Sequence, residues 1–313
     1  MRLRCYEVTS AMGLRNKIEL YVDRSIRDGG LAGKALLLLR EAGITTCVRK
    51  HLVYSQYAKE RKLPSDTVRK NRAFYRDHQQ EVKRNISLLE DETSKKIYKK
   101  MIQFRCSHDV RKMPEYCIKN MYFVEGIVPH ETDGVFVDCG AFIGDTIKEY
   151  ARYNQNKYRR LVCFEPDREN YDALMRRIRG NDKAVVYPFG VWNNNGVLSF
   201  VSGSGAGSKV DQTKSETGSE NLIEIKAVAL DSVEECKDAT FIKMDIEGAE
   251  YEALEGAKGI ITTNRPVLAI CIYHSNDDMI RIIPWVHSLD LGYKLYVRQH
   301  GFDEFDTVLY AIP

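Results

Sequence analysis

The chain has 313 residues, is 43% hydrophobic and carries a formal net charge of +3, enough for one large core with a smaller region beside it. Eight cysteines with neither C-x-x-C spacing nor a paired pattern read as reduced, mostly buried thiols. No apolar stretch approaches a membrane span and the start, MRLRCYEVTS, lacks an apolar targeting core, so a cytoplasmic location is expected. The charge is uneven: residues 1 to 120 hold 27 Lys/Arg against 14 Asp/Glu, leaving 20 against 30 for the rest. That basic front half suits nucleic acid, an anionic membrane or an acidic glycan, but its charges are scattered and read more simply as solvated helix faces.

In chain order, residues 17 to 41 form an amphipathic helical pattern broken at Gly29 and Gly30. Residues 55 to 105 predict helices, with Ile86, Leu89, Ile97, Met101 and Ile102 at near-helical spacing, that pack on the domain after them. Pro114, Tyr116, Tyr122 and Phe123 mark the approach to that domain, and the chain divides into a basic, mainly helical region over 1–120 and a second domain over 121–313.

From there strands alternate with helices: strand 134–138, helix 144–154, strand 160–165, helix 168–179 and strand 184–189. Short strands at 196–201 and 222–229 flank a Gly/Ser/Thr-rich stretch that is either a lid or a slack surface loop. Strand 239–244, helix 249–263, strand 266–273, helix 277–291, strand 293–298 and an antiparallel strand 306–312 complete the series. The expected fold is α/β, a Rossmann-like, seven-stranded, mostly parallel sheet with helices on both faces.

In such a sheet ligands lie beyond the carboxyl ends of the strands. The segment FVDCGAFIGDT, Phe136 to Thr146, takes a buried strand through Asp138 and two glycines into a helix start. Its D-x-G-x-x-x-G spacing departs from the G-x-G-x-x-G dinucleotide fingerprint and favours S-adenosylmethionine over NAD, because that cofactor has no pyrophosphate and its ammonium is drawn to an acid such as Asp138. The next strand ends at Glu165 and Pro166, where an acid accepts both hydroxyls of a ribose. Trp192 either stacks on an adenine or, more simply, fills core. FIKMDIEGAE crowds Asp245, Glu247 and Glu250 around Gly248, and such crowding raises a pKa or invites a cation. A helix start accounts for Glu250 alone, but not for Asp245. Lys243 receives no role by strand alternation. LAICIYH ends in His274, a candidate base or substrate orienter.

Together FVDCGAFIGDT, FEPD at 164–167, IKMDIEGAE at 242–250, IYH at 272–274 and the closing LYAIP resemble the FkbM family of S-adenosylmethionine-dependent methyltransferases, over roughly residues 120 to 313. The resemblance implies methyl transfer to a hydroxyl of a sugar, glycan or natural product. It assigns the cofactor to Asp138, Gly140, Gly144 and Glu165, with Ala141, Phe142, Asp145, Thr146 and Pro166 beside them and Asp245 at the methyl group. Asp245 or His274 is then the expected base and Glu247 the residue that holds the acceptor. No resident metal is expected; a divalent ion on Asp245, Glu247 and Glu250 is the weaker version. A nucleic-acid methyltransferase using the basic front half, and a non-catalytic cofactor-binding protein, are the alternatives; no amine-methylation motif favours the first, so nucleic acid is not the expected partner.

Overall fold

A computed structural model describes residues 65–109, 112–113, 120–201, 222–301 and 305–313, all within one compact unit, Pro64–Pro313. The expectations for residues 17–41, for Pro114 and Tyr116, and for the Gly/Ser/Thr-rich stretch at 202–220 lie outside the described residues.

Among the described residues three helices come first: α1 (Ser65–Asp77), α2 (Gln79–Leu88) and α3 (Glu92–Ser107). Asp91 starts α3 by accepting from the Ser94 amide at 2.7 Å, which satisfies one of the free N–H groups of the first turn. The same carboxylate pairs with the guanidinium of Arg298, and Ser94 Oγ accepts from Val297 N at 2.9 Å. Buried Asn85 donates to the carbonyl of Ile280 at 3.0 Å. Arg105, at the far end of α3, donates to the carbonyl of Tyr273. These helices therefore pack on the domain that follows them, as their spacing predicts, α3 against the strand at Lys294–Gln299, and Arg105 reaches a strand end that matters below.

The sheet contains β1 (Gly134–Cys139), β2 (Tyr158–Phe164), β3 (Ala184–Tyr187), β7 (Phe241–Met244), β8 (Val267–Cys271), β9 (Lys294–Gln299) and β10 (Thr307–Ile312), in the order β3-β2-β1-β7-β8-β10-β9. The first five in this order are parallel, and β10 runs antiparallel to both β8 and β9. Every residue of β1, β7 and β8 is buried, the pattern of strands covered on both faces. Because crossovers are right-handed, β1-β2-β3 and β7-β8, which progress in opposite directions, carry their helices on opposite faces. Those helices are α4 (Asp145–Tyr153) and α5 (Arg168–Arg177) on one side, α6 (Glu250–Glu255) and α7 (Lys258–Asn264) on the other. The direction reverses between β1 and β7, which puts the ligand crevice of this fold at their carboxyl ends. Beneath it, Phe136 stacks on Tyr150 with ring centroids 4.3 Å apart, and both meet Phe241.

Two details differ from the sequence expectation. The strand expected at 184–189 stops at Tyr187, and β4 (Gly190–Val191), β5 (Gly196–Val201) and β6 (Leu222–Val228) make a separate three-stranded sheet. The helix expected over 249–263 breaks into α6 and α7. A side chain at Gly256 would sit 2.0 Å from the Trp192 carbonyl oxygen, so only glycine permits the approach there. Asp231 then starts the second piece by accepting from Gly259 N at 2.7 Å and Ile260 N at 2.8 Å. Trp192 is buried with Leu198 and Ala227, in a core under the small sheet.

The last helix, α8 (Asn276–Ser288), is started by Ser275, whose hydroxyl accepts from the Asp278 amide at 2.9 Å. Among the described residues five cysteines are free thiols, four of them buried, and no helix is long and apolar enough to cross a membrane.

Candidate active site

The loop after β1 follows from its glycines. Gly140 has φ +78°, and a Cβ there would lie 2.0 Å from the backbone oxygen of Asp245, so the loop presses directly against the end of β7. The amides of Gly140 and Ala141 both donate to the Phe164 carbonyl at 3.0 Å, and Asp245 N donates to the Cys139 carbonyl at 3.1 Å. The ends of β1, β2 and β7 are thereby locked together. Gly144 (φ +80°) is the N-cap of α4 and offers no side chain to the first helical N–H groups. Ala141, Asp145 and Thr146 belong to the same loop and first turn, and Phe142 is 51% exposed at the edge.

Glu165 stands at the end of β2 with its carboxylate turned back over this loop. Its Oε2 accepts from Phe142 N at 2.7 Å and its Oε1 from Asp167 N, just past Pro166, at 3.0 Å. Burial raises its pKa against the pull of these two amides. Each oxygen retains a lone pair for a further donor.

Asp138 is fully buried and faces Lys243, its register partner on β7. The ammonium lies 2.9 Å from Asp138 Oδ1, within ion-pair distance though off the alignment of a hydrogen bond, and it donates to the Gly140 carbonyl at 2.7 Å. Burial pushes the pKa of Asp138 up, a shift opposed by Lys243, whereas the lysine is held charged: its own desolvation is outweighed by Asp138 and then Asp245. The charged pair is the state that fits, because the ammonium also meets two backbone carbonyls and the face of Tyr122, 5.3 Å from the ring centroid. The sequence expectation turned Asp138 toward a cofactor ammonium; in the structure a lysine of the chain itself occupies that side of the carboxylate. Lys243 is one residue that sequence reasoning missed. Alternation along one strand says nothing of the neighbouring strand, and the parallel register of β1 with β7 was the signal.

Beyond Lys243, the turn Asp245 to Gly248 carries Glu247 at φ +60° and Gly248 at φ +98°. Asp245 accepts from Tyr122 Oη at 2.8 Å through one oxygen and from Tyr273 Oη at 3.0 Å through the other. Burial would raise its pKa, but Lys243, His274 and the two hydroxyls prevail and lower it. His274 Nδ1 lies 3.0 Å from Glu250 Oε1, and Nε2 lies 3.4 Å from Asp245 and 3.7 Å from Glu247. Burial works against charge on this imidazole, yet the three carboxylates, Glu250 foremost, raise its pKa to about 9. Glu250 is buried and also accepts from Ile246 N at 2.8 Å, so it is a member of the cluster and not merely a favourable charge at a helix start. The structure thus brings Asp245, Glu247 and His274 together, adding Glu250, Tyr122 and Tyr273. Tyr122 comes from a segment whose aromatic content was its only sequence signal.

A family model described as the methyltransferase FkbM domain matches residues 138–301, a little over half the chain. Among solved structures the chain is similar to the methyltransferase FkbM from Methylobacillus flagellatus KT, with 25% identity and a TM-score of 0.65 over 77% of this chain and 60% of that one. The chain therefore spans about 60% of that relative's length. It is more distantly similar to an rRNA methylase from Streptococcus thermophilus, with 13% identity and a TM-score of 0.35 over 58% of this chain and 87% of that one. The fibrillarin of Aeropyrum pernix, solved with S-adenosyl-L-methionine bound, shows 12% identity and a TM-score of 0.33 over 58% of this chain and 67% of that one. No curated protein matches.

Proposed function

The chain belongs to the FkbM methyltransferase family, and from that premise we propose that it moves a methyl group from S-adenosylmethionine to a hydroxyl of a sugar, glycan or natural-product acceptor. The observation that carries this reading is the crevice at the switch in strand order, where the Gly140 loop, the uncapped start of α4 and the Glu165 carboxylate converge. Its donor set fits the cofactor. Glu165 has lone pairs for two ribose hydroxyls, and the free N–H groups of the first turn of α4 suit a carboxylate. Ala141, Phe142, Asp145, Thr146 and Pro166 would line this grip. Asp138 acts one step back, holding Lys243 and through it the Gly140 carbonyl.

When bound, the cofactor supplies a methyl carbon already activated on a positive sulfonium, so the protein's work is alignment and removal of one proton. Asp245 takes that proton from the acceptor hydroxyl. Its side chain is 25% exposed, against 6% for His274, and Tyr122 and Tyr273 fix its plane from both sides. His274 positions Asp245 from behind. Glu247, 77% exposed at the rim, accepts from neighbouring hydroxyls of the acceptor. Acidic and aromatic groups side by side, Asp245 and Glu247 with Tyr273 and Phe305, whose rings meet edge to face at 5.8 Å, support a polyhydroxyl acceptor over a long apolar one.

Two measurements test this. Incubation with S-adenosylmethionine and a panel of sugars and glycans should add one methyl to a hydroxyl, read by mass spectrometry, whereas methylation confined to RNA would favour the nucleic-acid alternative. Glu165→Gln should weaken binding of S-adenosylhomocysteine by about tenfold or more, since it removes a charged acceptor of hydrogen bonds. An unchanged dissociation constant in calorimetry would take the ribose assignment away from Glu165.

A further inference from the structure

Carboxylates outnumber cations around His274. Asp245, Glu250 and Asp278 are at least largely buried there, with Glu247 at the rim. Lys243, two residues before Asp245, is engaged by Asp138 and two backbone carbonyls. One ligand atom each from Asp245, Glu250 and His274 lies within 4.8 Å of the others. A second observation bears on what belongs among them. Glu250 is fully buried, its Oε1 takes the Ile246 amide, and its Oε2 has no hydrogen-bond partner; neither ring nitrogen of His274 makes an aligned hydrogen bond either. Buried polar atoms left in this way are costly unless something satisfies them. Asp245 is already an acceptor for two tyrosines, but each carboxylate oxygen has a second lone pair to offer.

We propose that Asp245, Glu250 and His274 bind a divalent cation. One imidazole with two carboxylates is a hard-to-borderline donor set that suits Mn2+, Fe2+ or Zn2+ and disfavours Cu(I). Three protein ligands leave coordination positions for water or an acceptor hydroxyl on the side of Glu247. The set differs from the acidic trio visible in the sequence: His274 takes the place of Glu247, which stands at the exposed edge. A proton on His274 is the rival occupant of the same charge pocket. The use of the ion in methyl transfer rests on the proposed function, but its binding does not, so the two are read separately.

The full chain, stripped with EDTA and dialysed, is titrated with Mn2+ while the free ion is followed by electron paramagnetic resonance. Saturable binding of one Mn2+ per chain is expected, weakened about tenfold or more in both His274→Ala and Glu250→Gln. The glutamine keeps the acceptor for the Ile246 amide, and thermal melts of both variants establish that they fold. No saturable binding by the wild-type chain up to about 1 mM Mn2+, or binding equal in wild type and folded variants, would overturn the site and leave the pocket to the proton. The same stripped protein is titrated with S-adenosylhomocysteine. A chain that binds the nucleoside but shows no saturable Mn2+ binding loses only the metal site, and a chain that binds Mn2+ but not the nucleoside loses only the methyltransferase reading.

Discussion

Asp245→Asn is expected to lower turnover on any hydroxyl acceptor of the wild-type chain by about 10²–10⁴-fold, the usual worth of a positioned general base. The substitution keeps shape and an acceptor oxygen for one tyrosine, but it removes the charge that Tyr122, Tyr273 and His274 all face. Affinity for S-adenosylhomocysteine should stay within a few-fold, because the Gly140 loop and Glu165 are untouched. Single-turnover methyl transfer and calorimetry on the same preparation separate the two effects. A variant with wild-type turnover would remove Asp245 from the chemistry, and one that lost cofactor affinity in equal measure would make it a binding residue instead.

The second large effect belongs to Lys243→Met. Lys243 and Asp138 are 2% and 0% exposed, so removing the ammonium leaves a carboxylate buried without a partner. Breaking a buried pair from one side costs about 3–5 kcal/mol, whereas replacing both partners by neutral groups of similar size is often close to neutral. The double variant Asp138→Asn/Lys243→Met should therefore recover most of the stability lost by the single one in urea unfolding. Lys243 also holds the Gly140 carbonyl, so the recovered double variant is expected to bind S-adenosylhomocysteine more weakly than wild type. Were the single variant as stable as the wild type, the pair would not be the clamp that joins β1 to β7.

The contrast between these two residues shows what the sequence disclosed. The strand-end positions of Asp138, Gly140, Gly144 and Glu165 were legible because each sits at a junction with a local signature: an apolar run, then an acid or a glycine, then a helix. Asp245 was legible for the same reason. Lys243 was not, although it lies two positions away, because its role depends on which strand lies beside it and in what register. Glu250 stood among three crowded acids and a first helical turn was enough to explain it, until the end of β8 brought His274 against it. The break between α6 and α7 was hidden for a related reason, since Gly256 is required by a carbonyl 64 residues away in sequence, that of Trp192. Local pattern disclosed most of the elements and the antiparallel last strand; the order of the sheet and the pairing of the charged side chains came from contacts between strands and across turns.

The account turns on a nucleoside held at the carboxyl ends of β1 and β2, and calorimetry of the full chain measures that directly. Titrated in parallel with S-adenosylhomocysteine and NADH, the folded protein should give a saturable isotherm with the first, one site per chain, and none with the second. No heat with S-adenosylhomocysteine, or tighter association with NADH, would contradict it.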